Sequence, residues 1–182
     1  MEAQKAARIV AALASFRAHY GRLLEIVVGA LMVALFVEVT LGIVYRAMGQ
    51  ALIWYDELAS VMLAWLTFYG AALASVRRAH IGCPELIATL SWPARRLASI
   101  VAQIVVIAFF VLLGSVGASI LPILSTDSMV SLSWVPMSVV QSVIPISAAL
   151  IVIAEVTHLL DLIVATRPPR ADDGVALADG LH

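Results

Sequence analysis

Apolar residues in this chain gather in four blocks separated by short polar breaks. The first runs from about Leu23 to Tyr45 and is interrupted by Glu38; the second is Leu58 to Val76. The third is Leu97 to about Pro122, and the fourth about Val135 to Val156, with Glu155 near its end. The second is the cleanest: 19 residues without a charge, opened by Asp56 and Glu57 and closed by Arg77 and Arg78. At 1.5 Å per residue it covers about 28 Å, close to the thickness of a hydrocarbon core. The other blocks are long enough to cross as well. None alternates apolar and polar residues as barrel strands do. Backbone polar groups in lipid must pair within the segment, so the blocks are predicted as helices. The expected fold is an all-α integral membrane protein: four transmembrane helices within residues 23–165, after an N-terminal segment (1–22) and before a tail (166–182).

Residues 5–20 are amphipathic. Lys5, Arg8, Ala12, Ser15 and His19 share one face; Ile9, Leu13, Phe16 and Tyr20 share another. This pattern fits a short helix lying on the membrane surface, and equally a solvated extension of the first span. The first apolar run is longer than a usual signal-peptide core. Between spans two and three, HIGCPELIATLSWPARR offers Pro84 and Glu85 for the first turn of a short helix. The tail lacks apolar periodicity and is expected to be disordered.

Composition agrees with the block pattern. Of 182 residues, 63% are hydrophobic and 13% charged; soluble domains run nearer half apolar and a quarter charged. The net charge of −1 carries no basic signature, so no nucleic-acid partner is expected. Charge distribution is more telling. Four spans put every one of the 11 basic residues except Arg46 on one side. Basic residues are retained in the cytoplasm, so both termini are predicted there and the 46–57 loop outside. Trp54, Tyr55 and Trp134 then fall at the outer interface and Trp92 at the inner one. A single cysteine, Cys83, excludes an internal disulfide and a Cys-rich metal site.

Glu38 is the main intramembrane acid. A carboxylate at that depth costs about 2.5–3.5 kcal/mol on insertion scales. Ala34 and Gly42 flank it and would admit another helix closely. It reads as a packing contact, or as a proton or cation site. Asp56 and Glu57 read as a helix cap pairing with Arg46, or as a gate. His80, with Arg77 and Arg78, would meet anionic headgroups. His80 and His158 both lie near the inner face, where a two-histidine haem is conceivable. Glu155, His158 and Asp161 follow helical spacing and form the polar end of span four. Gly70 with Ala74 and Gly114 with Ala118 are small-residue pairs that permit helix contact. No phosphate-binding loop or hydrolase nucleophile motif is present, and no enzyme chemistry or cofactor is expected.

Three stretches carry a resemblance. VYRAMGQALIWYDEL holds an Arg after span one and a Trp-x-acid-Glu before span two. AWLTFYGAALASVRRAHI holds Trp65, Phe68 and Gly70 and ends in Arg77, Arg78, Ala79, His80 and Ile81, an Arg-x-x-His-Ile close. WVPMSVVQSVIPIS holds Pro136 and Pro145. In this order the chain resembles the small permease subunit, DctQ type, of tripartite ATP-independent periplasmic (TRAP) transporters. Asp56 stands where that family often has Glu, and Gly82-Cys83-Pro84 is less typical. The resemblance implies a bacterial inner-membrane subunit beside a large many-span permease that carries the solute and sodium sites. It also implies a periplasmic solute-binding protein, often for carboxylates. The small subunit would brace the scaffold among membrane lipids. Two other readings stay open: a self-contained proton-coupled exporter using Glu38, and a membrane haem subunit.

The topology is testable by cysteine labelling from outside intact cells. A probe at Gln50 should react and one at Arg95 should not; labelling of both, or of position 95 alone, would overturn the four-span arrangement.

Overall fold

A computed structural model describes the backbone of residues 2–77 and 91–164, with side chains for 13–77, 91 and 93–163. Its helices are α1 (Glu2–Ala47), α2 (Tyr55–Val76), α3 (Trp92–Leu124), α4 (Met137–Gln141) and α5 (Val143–Val164). Among the described residues four helical stretches are long and apolar enough to cross a membrane: Leu13–Ala47, Tyr55–Val76, Pro93–Leu124 and Met137–Ile163. The chain is therefore a multi-pass helical membrane protein. The loop segment 78–90 and the tail 165–182, with the expected short helix and Cys83, lie outside the described residues.

The helices exceed the apolar blocks because polar ends continue them. α1 has 46 residues, about 69 Å at 1.5 Å each, more than twice a hydrocarbon thickness. No proline falls between Glu2 and Ala47 to break it. The amphipathic N-terminal stretch is thus an extension of the first span, not a separate surface helix. α5 likewise runs past Val156 through His158 and Asp161 to Val164, because neighbouring helices satisfy those polar groups.

One face of α1 is a seam at alternating spacings of four and three: Arg17, Gly21, Leu24, Val28, Leu31, Leu35, Glu38 and Gly42, all buried or half-buried. That spacing suits a left-handed helix pair. Its partner is the antiparallel α2. A β-carbon at Gly21 would lie 3.4 Å from Val76 Cγ1. One at Gly42 would fall 2.3 Å from the Tyr55 ring, so only glycine lets that ring lie against α1. Ala34 is exposed, and Leu35 holds the seam position expected of it.

The four spans form an open row, α1–α2–α5–α3, rather than a closed bundle. A core of Leu24, Ala72, Val76, Ile151 and Ala154 joins α1, α2 and α5, flanked by Tyr20, Tyr69 and Phe110. α3 meets α5 through its glycines: a β-carbon at Gly114 would sit 3.2 Å from Ala148 Cβ, and one at Gly117 3.0 Å from Ile144 Cγ2. Gly70 has no such neighbour within 4 Å, so its small pair with Ala74 serves no contact at that position within the chain. None of the most apolar stretch of α3 is buried; Val105, Phe109, Leu112 and Val116 point away from the protein. α1 exposes Met32, Val33 and Phe36 in the same way.

Pro145 explains the step between α4 and α5. It has no N–H for the Gln141 carbonyl, and the helix breaks at Ser142. Ser142 N–H turns to the Val139 carbonyl at 3.3 Å, and Ile146 N–H resumes the ladder to Ser142 at 3.2 Å. Pro136 precedes α4 in an extended conformation, with φ −70° and ψ 142°.

The Gly42–Tyr55 contact yields a stability prediction. Gly42→Ala should cost about 1–3 kcal/mol by overpacking, read as a lower unfolding midpoint in detergent. In a Tyr55→Ala background the same change should be nearly neutral. An equal cost in both backgrounds would reject this contact as the reason for the glycine.

Candidate functional site

Polar side chains concentrate at the two ends of the spans, with one acid between. The near end holds the end of α5 and the first turns of α1's span; the far end holds the α1–α2 and α3–α4 connections.

At the near end, Glu155 is buried on α5. Ser75 of α2 donates its hydroxyl to Oε1, and the Gln103 amide of α3 donates to Oε2. Gln103 Nε2 also reaches the Glu155 carbonyl oxygen at 3.1 Å. One turn on, His158 Nε2–H donates to the Ser75 carbonyl at 3.0 Å. Arg17 of α1 donates to His158 Nδ1 at 3.4 Å and pairs with Asp161 at 2.5 Å. Those partners fit the Nε2–H tautomer of the imidazole. Tyr20 of α1 donates its hydroxyl to the Leu150 carbonyl at 2.8 Å. All four spans therefore meet in one set of polar contacts. Further out, Arg77 pairs with Glu25, again joining α2 to α1. Arg96 of α3 donates to the Ile163 carbonyl at 3.1 Å.

The far end is held by side chain to backbone. The α3–α4 connection is pinned on itself: Met129 N–H bonds the Val135 carbonyl at 3.0 Å and Met137 N–H the Asp127 carbonyl at 2.8 Å. Glu57, in the first turn of α2, accepts from Val130 N–H at 3.0 Å and Ser131 N–H at 2.7 Å, and from the Ser131 hydroxyl. Trp65 Nε1–H donates to the Val140 carbonyl at 2.9 Å, beside the helix break at Ser142. Tyr69 meets Trp65 edge-on, with centroids 6.4 Å apart. Trp65 and Pro145, far apart in sequence, thus serve one junction.

The expected ion pair of Arg46 with Asp56 or Glu57 is not formed. The described ion pairs are Arg17–Asp161 and Arg77–Glu25. Glu57 turns to the α3–α4 connection because two backbone N–H groups and a hydroxyl there satisfy both its oxygens. Arg46 and Asp56 remain exposed and line one small pocket. Trp54 is half-buried at the α2 N-cap, its carbonyl accepting from Leu58 N–H at 3.1 Å.

Glu38 stands apart. It is buried in the α1 seam, and neither carboxyl oxygen has a hydrogen-bond partner. Arg78 and His80 lie outside the described residues. Both ring nitrogens of His158 are engaged, which leaves neither open to iron in this arrangement. Among the described residues no group of three His, Cys, Asp or Glu side chains is placed to hold a metal.

Ser75, Gln103 and Arg17 were not singled out from sequence. Gln103 left a signal, as the only amide in the third span, where a lone amide is a marker of interhelical bonding. Ser75 left none, since serines recur along the spans. Arg17 was read as a topological charge.

An open row of apolar spans, tied at both ends by its own polar side chains, defines a membrane protein built for helix contact. The family of DctQ components of tripartite ATP-independent periplasmic transporters matches residues 35–165, and the chain belongs to that family. The matched segment contains the whole α2–α5 arrangement and the Glu38 end of α1. No individual curated protein matches the chain.

The two buried acids should respond oppositely to removal. Glu155→Ala strands the Ser75 hydroxyl and the Gln103 amide, and should cost about 1.5–3 kcal/mol in denaturant titrations of purified protein. Glu38→Met replaces an unpartnered polar group with an apolar one of similar length, and should raise stability by about 1–3 kcal/mol. A loss on Glu38→Met as large as that on Glu155→Ala would reject the contrast.

Proposed function

We propose that this chain is the small membrane subunit of a sodium-coupled TRAP transporter importing an organic acid or a similar solute. It braces the scaffold of a large many-span permease, which receives solute from a periplasmic binding protein. It sits in the bacterial inner membrane with the near end cytoplasmic, where Arg17, Arg22, Arg77, Arg95 and Arg96 gather. It performs no catalysis and takes no cofactor.

One observation carries the reading. Apart from Glu38, the polar side chains buried or half-buried between the described helices are committed to the chain's own structure, while its apolar faces are left open. Glu57, Glu155, Gln103 and His158 each bond another element of the chain. Transporters instead direct paired ionisable groups or broken helix ends at a mid-membrane solute. The break at Ser142 lies near the far end, and its neighbouring carbonyl is occupied by Trp65. α1 and α3 meanwhile present long apolar faces on the flanks of the row. A static partner of this shape gives a moving permease domain something to move against.

Glu38 favours the proton-coupled exporter, being a buried acid without an internal partner. Against it, the carboxyl lies sealed in the α1–α2 seam and no second ionisable group bonds it, so a relay lacks its next station.

Reconstitution into liposomes with a sodium gradient and the cognate binding protein tests the assignment. Uptake should require both membrane subunits. Transport by this chain alone, or full uptake by the large subunit without it, would sink the accessory role. Proton-coupled efflux lost in Glu38→Gln would transfer the assignment to the exporter.

A further inference from the structure

The far end of the α1–α2 hairpin contains a pocket of about 120 Å³, lined by Gly42, Arg46, Ala51, Leu52, Tyr55 and Asp56. It carries one cation and one anion that form no ion pair with each other. The adjacent acid, Glu57, is committed to Val130 and Ser131 and cannot neutralise Arg46. Two opposite charges held apart around one pocket match a zwitterion. Depth narrows the choice. The first span ends at Ala47 and the second begins at Tyr55, so a bilayer crossed by both would have the pocket at its headgroup level. Beside it, Ile43, Val44, Met48 and Ile53 are exposed and apolar, a surface along which acyl chains can lie. The missing side chain at Gly42 and the Tyr55 ring against it shape the pocket's inner wall.

We infer that this pocket binds the headgroup of a phosphoethanolamine lipid. The Arg46 guanidinium takes the phosphodiester through its paired N–H groups. The Asp56 carboxylate accepts from the ammonium. A direct Arg46–Asp56 contact at such exposure would be worth little, so neither charge is bound to the other in preference to ligand. A choline headgroup has no N–H to give Asp56, and a glycerol headgroup has no cation. The chemistry therefore orders the lipids by their headgroup amine.

The test is lipid retention by the full-length chain in native mass spectrometry. Phosphatidyl-ethanolamine, -choline and -glycerol with identical acyl chains are offered in equal amounts, with soluble glycerophosphoethanolamine as a separate arm. The ethanolamine lipid should be retained about fivefold over the other two, the ratio that corresponds to one well-placed interfacial charge contact. Asp56→Asn should abolish the preference over choline lipid while keeping phosphate-dependent retention. Arg46→Ala should abolish retention of all three, and Arg46→Lys should restore part of it. Circular dichroism at wild-type helicity confirms that each variant is folded. Equal retention of the three lipids would overturn the inference, as would a preference unchanged in both variants. Binding of glycerophosphoethanolamine as strong as that of the lipid would overturn the membrane as its source.

Discussion

A carboxylate buried near a membrane interface must find donors, and Glu155 finds them on two other helices. Ser75 supplies one from α2 and Gln103 another from α3. Apolar burial does little to hold helices together in lipid, since lipid tails are as apolar as leucine. Polar contacts and close approach must do it instead. Glu155 sits on α5, the helix that lies between α2 and α3 in the row. Its two oxygens therefore join the two halves of the structure. His158 and Asp161, one and two turns further, extend the tie to Arg17 of α1. Without these acceptors α5 would have little reason to continue as a helix beyond its apolar block.

The two ends solve the same problem differently. At the near end side chains bond both side chains and backbone carbonyls of neighbouring helices, and four helices are fixed in mutual register. At the far end side chains from α2 bond backbone of the α3–α4 connection and of the α4–α5 step. Proline shapes the second of these far-end contacts. Pro145 leaves the helix without an N–H for Gln141 and opens the ladder around Ser142, so a neighbouring carbonyl becomes available to Trp65. The break is stabilised from outside the helix, as broken helices in membranes require. Glycines add close approach along the spans: Gly21 at the near end and Gly42 at the far end bring α1 to α2, and Gly114 and Gly117 bring α3 to α5.

Much of this was readable from sequence because lipid imposes its demand locally. A span must be apolar over its own length, so the four blocks, and the segregation of Arg46 from the other basic residues, announce themselves. Glu155, His158 and Asp161 share a helical face for the same local reason. What could not be read were pairings across distance. Ser75 and Glu155 are 80 residues apart, and Glu57 and Ser131 are 74. No local pattern chooses Ser131 over Arg46 as the partner of Glu57; only the placement of the α3–α4 connection against α2 does. The length of α1 was ambiguous because a surface helix and a protruding one share the same amphipathic pattern. Glu38 was read as an intramembrane acid; it is buried in the α1 seam, and its seam neighbours depend on which face meets α2.

Glu38 and the open row bear on each other. An unpartnered acid in the α1–α2 seam weakens the contact that attaches α1 to the rest of the chain. α1 has few other attachments: Gly21, Leu24 and Tyr20 lower on the same helix, and the Arg17 and Glu25 pairs at its near end. The near half of α1 is thus anchored by polar bonds, while the far half rests on the Gly42–Tyr55 contact around a carboxyl that gains no bond. A helix firmly tied at one end and weakly at the other, with Met32, Val33 and Phe36 facing away from the chain, needs further contact along its outer side. In a subunit whose family works in company, the inefficiency of the internal seam and the extent of the external apolar face argue for the same thing. α1 is tied to its own chain most firmly at its near end and leaves its outer face open.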